Sequence, residues 1–132
     1  MKGCFDMEES IPQELLDYVQ YMKESRYFDA HEVLEELWHS DRNDFYKGLI
    51  QIAVALFHLR NGNIKGARHL FKRARHLLTP CLPAYRRVDV RCLIDYLNDC
   101  LQVIPDVTEL ERNEVERLGI QNPHIVFNNL EI

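Results

Sequence analysis

Glycine and proline are scarce in this chain of 132 residues, at five each, which leaves little punctuation for a strand-rich fold with many tight turns. No apolar run is long enough for a bilayer. The most apolar uncharged stretch, Gly48 to Leu59, falls well short of the ~20 residues a spanning helix needs. The opening MKGCFDMEES has no apolar signal-peptide core, so a cytoplasmic protein without a membrane partner is expected. The cysteines Cys4, Cys81, Cys92 and Cys100 include no CxxC pair, and Cys92 and Cys100 fall in or beside an apolar helical pattern. Reduced, buried thiols are therefore expected in place of a disulfide framework or a zinc site. Glycine-rich phosphate loops and the G-x-S-x-G nucleophile turn are also missing, so no catalytic residue and no cofactor is assigned.

What is present is helical periodicity. Apolar spacing near 3.6 residues predicts five helices, at about Pro12 to Arg26, Ala30 to Ser40, Phe45 to Arg60, Ile64 to Leu78 and Asp89 to Val103. Asp29, with Glu32 behind it, reads as the N-cap of the second, and Asp89 as the N-cap of the fifth. Thr108 to Leu118 reads as a short acidic helix. The final dozen residues read as an extended tail whose Ile125, Val126 and Phe127 dock on the body. The expected architecture is a single all-α domain over 1–132, a compact bundle of about five helices in antiparallel, tetratricopeptide-like hairpins. Its core helices span about 12–104, and 105–132 packs on them as an extension. A weak repeat supports the hairpins: Tyr27, Ala30 and Leu34 match Ile64, Ala67 and Phe71 at an offset of 37 residues.

The third helix is apolar around most of its circumference, at Phe45, Leu49, Ile50, Ile52, Ala53, Leu56, Phe57 and Leu59, which marks it as central. Lys47, Gln51 and His58 form its one polar stripe. On the second helix, His31 and Glu35 fall together at the edge of the apolar arc beside Trp38, with Glu32, Glu36 and His39 on the far side. A carboxylate four residues from an imidazole orients and charge-stabilises it. His31, Glu35, Trp38, Gln51 and His58 are thus the candidate lining of a small polar pocket between the second and third helices. The competing reading is a structural hydrogen-bond cluster or a solvent-facing stripe.

HExxH zinc chemistry is absent because the position four after His31 is Glu35, and Glu36-x-x-His39 is a single motif where a di-iron bundle needs two. His31, Glu35 and His58 remain the candidate set for a mononuclear metal or for acid/base hydrolysis, which is the alternative to a binding or protein-interaction module. A second alternative rests on the fourth helix. Lys65, Arg68, Lys72 and Arg75 there form a single-sign face suited to an anion or RNA. No aromatic side chain interleaves with that face, which disfavours single-stranded nucleic acid. A partner protein or a small polar ligand is the expected partner, and the chain is a monomer or homodimer.

The motifs RYFDAHEVLEELW and FYKGLIQIAVALFHLRNGNIKGARHLFKRA, over roughly residues 12 to 80, resemble the bacterial domain-of-unknown-function family 309. The resemblance implies an α-helical bundle and brings no activity. It also implies that the HExxExxW and QxxxAxxH residues His31, Glu35, Trp38, Gln51 and His58 share one site.

The formal charge of −5 is an average over unlike segments. Residues 1–46 hold 4 bases and 12 acids, 47–91 hold 10 and 1, and 92–132 hold 2 and 8. The expectation is that the acidic flanks fold against the basic middle and neutralise it.

Overall fold

The computed structural model describes residues 10–128. Cys4, with the rest of residues 1–9, and residues 129–132 of the tail lie outside them. Among the described residues there are six α-helices: α1 (Gln13–Lys23), α2 (Tyr27–Asp41), α3 (Asp44–Arg60), α4 (Ile64–Leu78), α5 (Val90–Val103) and α6 (Arg112–Arg117). A 3₁₀ turn (Thr79–Cys81) and two short antiparallel strands, β1 (Ala84–Tyr85) and β2 (Val88–Asp89), separate α4 from α5. Packing follows chain order, densest between α3 and α4, then α2 on α3 and α1 on α2, with α5 closing on α4. No described helix is long and apolar enough to cross a membrane.

α3 is the central helix, as its all-round apolar pattern predicts: ten of its residues are buried, from Phe45 to Leu59. Phe57 departs from that pattern and is 37% exposed. The helix begins where Asn43 accepts a hydrogen bond from the Phe45 N–H at 2.7 Å, a side-chain cap on an otherwise unsatisfied donor. Asn63 does the same for α4 through Gly66 N, and Asp89 for α5 through Cys92 N, each at 3.1 Å. The 37-residue offset aligns α2 with α4 from first residue to last, 15 residues each. All six matched positions are buried.

Several local expectations are corrected. α2 starts at Tyr27, so Asp29 lies in its first turn and does not cap it; it ion-pairs with Arg26 at 2.9 Å. Ser25, with φ of 60°, ends the preceding turn and lets the helix begin early. Leu16 on α1 is exposed, whereas Tyr18 is fully buried and its hydroxyl donates to the Leu49 carbonyl at 2.8 Å. Cys92 is exposed, whereas Cys100 on the same helix is buried. The extended tail docks through Ile125 and Phe127, which pack against the core, and through its backbone: Asp89 N donates to Val126 O at 2.8 Å, and Phe127 bridges to Val88. Val126 itself points outward.

Burial gives the core an alkaline limit. It pushes the Cys100 thiol up from about 9 to about 11 and holds the Tyr18 and Tyr96 phenols well above their usual range. Between those two pH values the unfolded chain releases protons that the folded chain retains, so stability falls as pH rises. The stabilisation is complete below about pH 9 and is lost toward 11. The urea midpoint should therefore drop progressively across that window; a flat profile would contradict the burial of these groups.

Candidate functional site

His31 lies in the second turn of α2, and Glu35 one turn further on. Their Nε2 and Oε2 atoms are 3.7 Å apart, and the other Glu35 oxygen is 3.7 Å from His39 Nε2. Glu32 approaches the opposite edge of the His31 ring, at 3.8 Å from Nδ1. These separations exceed a hydrogen bond, so the contacts are electrostatic and depend on imidazole protonation. Glu32 and His39, assigned by the helical wheel to the far side, reach round to join the cluster.

His58 is placed from α3. The Asn63 side-chain amide donates to its Nδ1 at 3.1 Å while the same residue caps α4. With Nδ1 accepting, the proton of the neutral ring sits on Nε2.

His31 and His58 meet at one cavity of about 180 Å³, whose remaining lining is Tyr27, Phe28, Val54 and Phe57. Its walls are therefore mainly apolar. Each imidazole lies against an aromatic ring of its own helix, Phe28 to His31 at 6.2 Å between centroids and Phe57 to His58 at 5.8 Å. Arg60 covers the Tyr27 ring at 4.8 Å and donates to the Ser25 carbonyl at 2.9 Å. The Tyr27 hydroxyl donates to the Asn122 side chain, which ties the pocket floor to the C-terminal segment.

The other predicted residues lie outside that lining. Glu35 is engaged between the two histidines of α2. Trp38 stands at the α2–α3 junction, with the Arg42 guanidinium and the Lys47 ammonium each 4.5 Å from its ring centroid. Its buried Nε1 has no hydrogen-bond partner among the described residues. Gln51 is half-buried, one turn beyond Lys47. Phe28 joins the site without a pattern that marks it: its only sequence signal is that it is an aromatic residue off the apolar arc of α2. It is 63% exposed. Among the described residues, no group of three or more His, Cys, Asp or Glu side chains is placed to hold a metal ion.

The basic face of α4 forms a second concavity. Lys65, Arg68, His69 and Lys72 line a cleft of about 430 Å³ closed by Asp106, Val107 and Thr108. Arg75 is turned aside and donates to the Asn98 side chain at 2.9 Å. The expected neutralisation by the acidic flanks does not occur here: among the described residues, no α4 cation forms an ion pair. The loop after α5 meets α4 through backbone carbonyls, and Arg86 of the basic middle is paired to a flank, with Asp41 at 2.8 Å.

The chain is similar to the "Uncharacterized protein YpuF" of Bacillus subtilis (strain 168), at 39% identity over 72 residues, 51% of this chain and 41% of the relative. It is also similar to an "Uncharacterized protein" of Aquifex aeolicus (strain VF5), at 31% identity over 93 residues, 67% of this chain and 28% of the relative. The chain thus spans less than half the length of either relative. No solved structure matches it. The family model described as domain of unknown function DUF309 matches residues 15–70, which contain the whole lining of the α2–α3 cavity. From α1 into the first half of α4, this chain is similar to the DUF309 family.

Proposed function

We propose that this protein is a binding module that takes an apolar side chain of a protein partner into the cavity between α2 and α3. The observation that carries the proposal is the cavity's size together with its rim. At about 180 Å³ it is smaller than the 300–1,000 Å³ of typical small-molecule sites and suits a single inserted side chain. Phe28 and Phe57 stand exposed at its edge, where a monomeric protein would otherwise lose solubility for no gain. His31 and His58 supply the polar groups that fix the backbone of the incoming partner, and tetratricopeptide-like hairpins are a natural frame for such a groove. Glu35 faces the histidines of its own helix and not the cavity, which favours binding over hydrolysis.

Nitrogen-edited NMR titration with N-acetyl-leucine amide and N-acetyl-phenylalanine amide tests this. Saturable shifts should be confined to residues 27–31 and 54–58. Val54→Phe should fill the cavity and remove them, and Phe28→Ala should weaken binding about fivefold, the worth of roughly 1 kcal/mol of apolar contact. Replacing both His31 and His58 by Ala should weaken binding while helical circular dichroism stays intact. Absence of saturable shifts, or shifts that persist in Val54→Phe, would sink the proposal.

A further inference from the structure

The cleft beside α4 is built in a way that a solvated basic face is not. Lys65, Arg68, His69 and Lys72 stand at spacings of three, four and seven residues, so they share one face of the helix. Like charges so placed repel one another. No carboxylate among the described residues lies within ion-pair distance of them to offset this.

The opposite wall is held firmly. Ile64 N and Lys65 N both donate to the Thr108 carbonyl, at 3.0 and 3.1 Å, and Leu110 N donates to the Gly62 carbonyl at 3.1 Å. Asn63 and Glu109 form a β-bridge just beyond. Arg68, half-buried, donates to the Ile104 carbonyl at the end of α5, 3.1 Å away, so its guanidinium is positioned in advance. A pre-positioned cation and a fixed wall reduce the ordering cost of binding.

The shape selects among anions. At about 430 Å³ the cleft lies within the range of small-molecule sites. The cations reach over only two turns of helix, and the lining contains no Phe, Tyr or Trp on which bases could stack. Asp106 adds a second constraint, because a carboxylate in the same cleft repels a bare anion and accepts hydrogen bonds from hydroxyls. We infer that the cleft binds a phosphorylated sugar, free or within a nucleotide, with its phosphate on Lys65, Arg68 and Lys72 and a sugar hydroxyl on Asp106.

Calorimetric titrations at fixed ionic strength with ribose 5-phosphate, AMP, inorganic phosphate and ribose test the inference on the full chain. Ribose 5-phosphate should bind saturably with a Kd below about 1 mM, inorganic phosphate at least about fivefold more weakly, and ribose not measurably. AMP binding tighter than ribose 5-phosphate would identify a nucleotide as the source of the sugar phosphate; equal affinity would identify the free sugar phosphate. The double variant Lys65→Gln, Lys72→Gln should lose at least about tenfold in affinity. Its unfolding midpoint without ligand should not fall, since it relieves repulsion. Asp106→Asn should narrow the preference for ribose 5-phosphate over inorganic phosphate. Failure of every phosphate probe to bind, or binding unchanged in the double variant, would overturn the inference. So would a 20-mer oligothymidylate that binds more tightly than ribose 5-phosphate, in favour of a nucleic-acid surface.

Discussion

Replacing Phe71 by alanine should lower the folding stability by about 3–5 kcal/mol. Phe71 is fully buried at the middle of α4, the helix packed against both α3 and α5. Its neighbours on the inward face, Ala67 and Ala74, are also fully buried and have no side-chain atoms that could move into the space. The cavity would therefore stay open, and the cost would lie toward the upper end of the range. For a domain with a total stability of about 5–15 kcal/mol, that is a large share. It should lower the thermal midpoint by roughly 10–20 °C. Arg73→Ala, on the exposed face of the same helix, should change stability by no more than about 0.5 kcal/mol. Thermal and urea unfolding followed by circular dichroism measures both. A loss below about 1 kcal/mol for Phe71→Ala would mean that the inward face of α4 is not packed between α3 and α5.

The second large effect concerns Gly62. Its φ is 83°, and a Cβ there would strike the Leu110 carbonyl oxygen, a backbone atom that cannot turn away. Gly62→Val should cost about 2–4 kcal/mol, combining the left-handed backbone penalty with loss of the Leu110 N to Gly62 O hydrogen bond. Gly119 is the matched control. Its φ is 69° with nothing within 4 Å of the Cβ position, so Gly119→Val should show the backbone penalty alone, about 1–2 kcal/mol. The difference between the two variants measures the collision. Amide exchange at Leu110 and Lys65 should accelerate in Gly62→Val and not in Gly119→Val, because the chain after α5 is pinned to α4 through those groups. Equal destabilisation by both variants would show that the wall yields without cost.

Much of the helical frame was legible because its signals are local. Asp89 caps α5, as its place before a period-3.6 run predicts, and the apolar circumference of Phe45 to Leu59 marks the central helix correctly. The hairpin between α4 and α5 was not legible. Its turn residues Arg86 and Arg87 have φ of 48° and 71°, a conformation whose usual sequence signal is Gly or Asn. The turn is held from elsewhere: Arg86 donates to Asp41 at 2.8 Å and to the Tyr46 hydroxyl at 3.3 Å, and lies over the Tyr85 ring. The start of α2 was misjudged for a similar reason, since Asp29 suits a cap and a first turn equally well and Ser25 decided between them.

The candidate sites divide along the same line. Which residues share a helix face follows from 100° per residue, so the pairing of His31 with Glu35 and the basic stripe of α4 were determined by the sequence alone. Which face meets which neighbour depends on packing between helices. That packing brought His58 to His31 and set Phe28 and Phe57 around them, while it left Trp38 beneath Arg42 and Lys47. It also decided the charge question. Composition made neutralisation of the basic middle the economical expectation, but the chain returning past α4 presents carbonyls to it and only Asp106 nearby, so those cations are left without a carboxylate partner among the described residues. Helix identity is a property of spacing along one segment, whereas the contents of a cavity depend on how separate segments meet in space.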